Sequence, residues 1–260
     1  MNILLTNDDG IDSLGIRMLA KYLSPMAKLW ACVPYEQQSG SGHGLSVRET
    51  LQVRPAMIDG VEKAWSVEGK PADCVKLAFL SLLDDPVDLV ISGINEGANL
   101  GTDTLYSGTV AAAMEGALNG APAIAFSLLG RAKKTEEWNF ENAAAISLTL
   151  YKKWAAGTLP IPPMSILNVN IPDLPVEKIK GYKAARLGVQ RYSDIYELLV
   201  EKEDSRQYQL KGTRLPSHED NPLLDIVLAA KGYVTLTPLS ADRTDLTLLR
   251  EIEKIKFVIS

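Results

Sequence analysis

Short apolar runs alternate with stretches of helical spacing through roughly the first 180 residues, and few architectures accept that alternation. Asn2–Thr6 is a brief apolar run, followed by the turn Asn7-Asp8-Asp9-Gly10. Ile16, Leu19, Ala20 and Leu23 then recur at helical intervals, which predicts a helix over 13–23. Leu29–Pro34 reads as a second strand. Pro71, at a first helical turn, opens an apolar helix through Val75, Leu77, Ala78 and Leu82. Val87–Ser92 is a third strand, and Ser107–Gly120 a helix rich in small residues with Gly120 as its C-cap. Pro122–Ser127, Asn139–Trp154 and Ser165–Asn170 continue the series as strand, helix and strand. Such βαβ units imply an α/β fold with a mostly parallel sheet, right-handed crossovers and flanking helices.

The pattern changes after residue 180. Segments such as Tyr233–Thr237 alternate or are β-branched, so 181–240 reads as mostly extended hairpins and loops, with a short helix over Leu246–Ile255. The expected organisation is a core over 1–180 and a C-terminal arm with closing elements over 181–260, parts of one overall domain. A hairpin arm that cannot bury both faces alone calls for a second copy of the chain, so oligomerisation is expected.

Composition removes several function classes. The net charge of -5 and the pI near 5.2 argue against a nucleic-acid polymer as partner. No apolar run reaches the roughly 18–20 residues of a membrane span. The opening run Ile3-Leu4-Leu5 is ended at once by Asp8 and Asp9, unlike a signal peptide. Cys32 and Cys74 form no CxxC pair and suit a reducing compartment, not a disulfide scaffold or zinc ribbon. With His43 and His218 the only histidines and no GxSxG elbow present, a serine hydrolase or a zinc hydrolase is a poor fit.

Ligands of an open α/β sheet bind beyond the carboxyl ends of its strands. The first such loop carries Asn7, Asp8, Asp9 and Gly10, the second Ser39-Gly40-Ser41-Gly42-His43-Gly44, the third Ser92-Gly93-Ile94-Asn95-Glu96-Gly97-Ala98-Asn99. Two adjacent carboxylates repel unless a cation lies between them, although Asp-Gly is also an ordinary turn. A hard divalent ion takes oxygen ligands, which Ser39 and Asn95 supply beside Asp8 and Asp9. Gly40, Gly42 and Gly93 allow close backbone approach to an anion, although a glycine-rich surface loop does the same to no purpose. Tyr106-Ser107-Gly108-Thr109-Val110 opens a helix, where N–H groups and the helix dipole favour a phosphate; a plain Ser N-cap is the blander alternative. His43 is a general-acid candidate, whereas His218, in a polar Pro-rich stretch, reads as surface.

In order along the chain stand Asn7-Asp8-Asp9-Gly10-Ile11, the Ser39–Ser46 loop and Gly69-x-Pro71-Ala72-Asp73-Cys74-Val75. Ser92-Gly93-Ile94-Asn95-x-Gly97-x-Asn99 and Tyr106-Ser107-Gly108-Thr109-Val110-x-Ala112-Ala113-Met114-Glu115-Gly116 follow. Leu167–Pro172 and Gly232–Leu239 complete the set. Together these resemble the SurE survival-protein family of divalent-metal-dependent 5'/3'-nucleotidases, almost end to end. Gly44 departs from the Ser or Ala more usual there, and 190–225 matches weakly. The resemblance implies one Mg²⁺ or Mn²⁺ per subunit on Asp8, Asp9, Ser39 and Asn95. It implies hydrolysis of nucleoside 5'- and 3'-monophosphates and trimming of short polyphosphate. It also implies a Rossmann-like core and a cytoplasmic homodimer with exchanged C-terminal arms, or a tetramer. Asp8, Asp9, Asn95 and His43 are then the expected catalytic set. Asn7, Gly40, Gly42, Gly93, Asn99, Ser107, Gly108 and Thr109 are the expected substrate contacts. A non-catalytic metal or nucleotide sensor on the same fold is the rival reading.

Overall fold

A computed structural model describes residues 1–130, 138–215 and 221–255. Its elements are β1 (Asn2–Thr6), α1 (Leu14–Leu23), β2 (Lys28–Pro34), β3 (Val53–Ala56), β4 (Lys63–Val67), α2 (Pro71–Leu77) and β5 (Leu89–Glu96). There follow α3 (Gly108–Leu118), β6 (Ala123–Leu128), α4 (Phe140–Ala155), β7 (Ser165–Ile171) and β8 (Tyr182–Ala184). Then come β9 (Ile195–Glu201), β10 (Arg206–Lys211), α5 (Asp225–Ala230), β11 (Val234–Ser240) and α6 (Leu246–Ile252). His218 lies outside the described residues.

Nine strands form one sheet in the order β3-β4-β2-β1-β5-β6-β7-β11-β8. The run from β4 to β7 is parallel throughout; β3 and β11 join it antiparallel. Period-two geometry sends alternate residues to opposite faces. Ile3 and Leu5 of β1 join Ile16, Leu19, Leu23, Phe140 and Leu150 of α1 and α4 in one core. Leu4, between them, joins Cys74, Val75, Val110 and Met114 of α2 and α3 in the other. The sheet is therefore covered on both faces, as a parallel sheet must be. The small residues of α3 let it lie close on the sheet: a Cβ at Gly116 would come within 2.6 Å of Val90.

Three features depart from the expectation. Strands β3 and β4 extend the sheet past β2, and neither was anticipated; both are short, and Arg54 and Pro55 of β3 stay exposed. Within 181–240, expected to be mostly extended hairpins and loops, α5 is helical, and its Ile226 and Ala229 join Leu224 just before it in a small separate core. The helix begun at Pro71 ends at Leu77 and passes into a wider π-type turn over Ala78–Leu82. Among the described residues the β9–β10 hairpin pairs only with itself, and every residue of both strands is exposed.

A candidate metal and phosphate site at the sheet switch point

Strand order reverses at β1, which has β2 on one side and β5 on the other. The loops leaving these three strands meet at their carboxyl ends, the crevice where open α/β sheets bind ligands. Asn7 stitches the first loop: its amide donates to Gly10 C=O (2.8 Å) and Ser13 Oγ (2.7 Å) and accepts from Gly10 N–H (3.2 Å). The side chain is fully buried and engaged in its own turn.

Asp8 is almost wholly buried. Thr109 Oγ donates to its Oδ1 at 2.5 Å, and Gln38 N–H donates to its backbone oxygen at 2.7 Å. The second bond sets Ser39, the next residue, beside the Asp8 turn. Asp9 reaches the other way: its Oδ2 accepts from Glu96 N–H (3.1 Å) and its Oδ1 from Gln37 Nε2 (3.2 Å). Asn95 thus sits one residue from the Asp9 anchor. The Asn95 side-chain N–H is taken by Gly97 C=O (2.9 Å), which leaves the amide oxygen as the atom it can offer to a cation.

Three glycines make this convergence sterically possible. Gly93 has φ +119°, and a Cβ there would fall 2.2 Å from Phe126 O. The β5–β6 register slips between Ser92 and Asn95, a bulge that re-aims the chain at the strand end. A Cβ at Gly108 would sit 2.8 Å from the Asp8 Cβ, so only glycine lets the start of α3 approach the carboxylate so closely. Gly15 packs its bare Cα against Ile94 O, which a Cβ would meet at 2.0 Å.

Burial pushes the Asp8 carboxyl up to about 6; the Thr109 hydrogen bond opposes this and the neighbouring Asp9 charge adds to it. Burial raises Asp9 as well. Among the described residues no cationic side chain is bonded to either carboxylate, and two desolvated carboxylates form an environment that a bound cation relieves. Among the described residues no three His, Cys, Asp or Glu side chains converge on a metal position. The available donors are two carboxylates, a hydroxyl and an amide, a hard oxygen set that fits Mg²⁺ or Mn²⁺ and not Zn²⁺.

Other expected contacts have different partners. Ser107 caps α3 by accepting from Val110 N–H (3.1 Å). Thr109 spends its hydroxyl on Asp8, so its backbone N–H is what remains for an anion. Gly42 gives its N–H to Tyr106 C=O (3.0 Å) and so ties the glycine loop to the entry of α3; Gly40 (φ +76°) stays exposed. Asn99 is buried, its amide donating to Ser127 Oγ and its backbone held by Asn168 and Asn170, so it anchors the third loop to β6 and β7. His43 points Nε2 at Glu115 Oε2 (2.9 Å), and Lys76 Nζ takes the other carboxylate oxygen (2.9 Å). Glu115, Gln37, Gln38 and Glu96 were not anticipated as part of this site. Only Glu115 carried a signal, a lone charge inside the apolar run of α3.

Comparison with known proteins is consistent with this geometry. The family model described as survival protein SurE matches residues 3–194. A protein of Trichormus variabilis named 5'-nucleotidase SurE is 40% identical over 271 residues, covering all of both chains. One of the same name from Clostridium beijerinckii is 41% identical, covering 98% of this chain and 99% of its own. The crystal structure of the SurE protein from Aquifex aeolicus superposes with a TM-score of 0.81 at 36% identity, covering 97% of this chain and 98% of that one.

Proposed function

The chain belongs to the SurE family and is a 5'-nucleotidase, and from that premise we propose that it hydrolyses nucleoside 5'- and 3'-monophosphates at the Asp8–Asp9 site. Short polyphosphate is a further substrate. The carrying observation is the tying of the Asp8–Asp9 turn to three segments: Asp8 through its backbone oxygen to Gln38 at the entry of the glycine loop and through its carboxylate to the start of α3, and Asp9 through its carboxylate to the end of β5.

Asp8, Asp9, Ser39 and Asn95 would hold one Mg²⁺ or Mn²⁺. When bound, such an ion supplies Lewis acidity toward a phosphoryl oxygen. Phosphoryl transfer otherwise needs positioning and charge stabilisation, which the chain provides through backbone N–H groups. Those of Gly40, Gly108 and Thr109 orient the phosphate, helped by the α3 dipole. Asp9, the more exposed carboxylate, accepts the proton of the attacking water. His43, held by Glu115 at the flank of α3, donates to the leaving oxygen. Residues 1–180 form the catalytic core and 181–260 the oligomerisation arm of a homodimer with exchanged arms, or of a tetramer. The buried free Cys32 and Cys74 suit a reducing cytoplasm.

The test is phosphate release from a panel of nucleoside 5'- and 3'-monophosphates with Mn²⁺, with Mg²⁺ and with EDTA, beside Asp9→Asn. Turnover that requires the metal and vanishes in the variant is expected. Metal binding without turnover would move the chain to the sensor reading.

A further inference from the structure

The turn Gly101–Leu105, between the third loop and α3, is gripped from two sides. On the outer side stands the root of the hairpin arm, residues 188–192. Asp225, buried at the start of α5, accepts from Gly101 N–H at 2.7 Å through one oxygen and from Gly188 N–H at 2.9 Å through the other. Thr102 Oγ donates to Gln190 C=O and accepts from Gln190 N–H, both at 3.0 Å. Tyr192 Oη donates to Asp103 Oδ2 at 2.5 Å. The two backbones touch: a Cβ at Gly101 would lie 2.5 Å from Gly188 O.

On the inner side the same turn leads straight into the site. Tyr106 C=O accepts from Gly42 N–H, Ser107 caps α3, and Thr109 holds Asp8. The grip on the turn therefore fixes where the glycine loop stands relative to the first N–H groups of α3.

We propose that Asp225, Thr102 and Tyr192 are positioning residues for phosphate hydrolysis, transmitting the placement of the arm root to the phosphate-binding N–H groups through the 101–105 turn. This rests on the Asp8–Asp9 site being the phosphate site. The Tyr192 contact is partly solvent-exposed, so its loss costs little global stability. Displacing hydrogen-bond donors by a fraction of an ångström at a reacting phosphate costs far more in rate than in affinity.

The experiment combines Tyr192→Phe with Thr102→Val, with Asp225→Asn as a separate variant that keeps the side-chain shape but offers a single accepting oxygen. Steady-state turnover of a 5'-mononucleotide with Mn²⁺, melting temperature and amide hydrogen exchange are read together. In the double variant kcat is expected to fall about tenfold with KM within about twofold and melting unchanged. Exchange should quicken over 39–44 and 106–110 but not over β1 and β5. Unchanged turnover, or exchange changes that stop at 101–105 and 188–192, overturns the proposal. Absence of turnover in the unmodified chain would refute the assigned activity instead. The exchange pattern would then still decide whether the arm root and the phosphate loops are linked.

Discussion

Glu115 shows how far a single buried charge depends on its partners. Burial alone would raise its carboxyl, but hydrogen bonds from His43, Lys76 and Asn119 outweigh that and hold it at about 2. An ordinary glutamate titrates near 4.5, so between these values the unfolded chain binds the proton and the folded chain does not. The stabilisation is thus complete above pH 4.5 and is lost as pH falls through about 2. Glu115→Gln should cost about 1–3 kcal/mol at neutral pH in urea denaturation. The gap to the unmodified chain should narrow at pH 3; a gap equally wide there would mean that the carboxylate charge is not what stabilises. At Asp8 and Asp9 the residue-scale question is who attacks phosphorus. In a single turnover quenched with acid, no phosphorylated protein is expected; a borohydride-reducible acyl phosphate on Asp8 or Asp9 would instead require a phospho-enzyme.

At the scale of elements, α3 does two jobs that its composition serves together. Its small residues let it lie close on β5 and β6, and its glycine start brings the first N–H groups against Asp8. Gly108→Ala places a Cβ 2.8 Å from the Asp8 Cβ, so the helix start must retreat from the carboxylate. Activity should drop by about 100-fold while stability changes by no more than about 1–3 kcal/mol. Phosphate-release kinetics beside thermal melting separate the two, and an active Gly108→Ala would show that the helix start is not part of the site.

The whole molecule carries apolar surface that one chain leaves uncovered. Tyr196, Leu198, Leu199, Tyr208 and Leu210 of the hairpin are exposed, as are Leu246, Leu248, Leu249 and Ile252 of α6. Among the described residues neither the hairpin nor α6 buries this face within one chain, and a second copy of the chain is the cover we expect. The hairpin can be excised cleanly, because Ser193 and Thr213 face each other with hydroxyls 2.8 Å apart. Replacing 194–212 by a two-glycine turn should leave melting and the 101–105 grip intact. It should lower the oligomeric state seen by sedimentation; an unchanged state would exclude the hairpin from assembly.

What the sequence determined by itself was the local and the periodic. Apolar runs, helical spacing, turn residues and glycines act over a few positions, so β1, β2, β5, β6 and β7 and the loops bearing Asp8, Asp9, Ser39 and Asn95 are legible in the sequence, whereas the short β3 and β4 are not. What tertiary structure alone decided was partnership. His43 meets Glu115 from 72 positions away, Asn99 meets Asn170 from 71 and Gly101 meets Asp225 from 124. Nothing local encodes those pairs; they follow from strand order, which is set by the joint burial of two sheet faces. The six-residue α5 belongs to the same class, since so short a helix is not stable alone and forms only where Leu224, Ile226 and Ala229 find a core. Asn7 and Thr109 stand in segments that the sequence marks as candidates for phosphate contact. Only the packed structure shows that their side chains are spent on holding the turn and on Asp8.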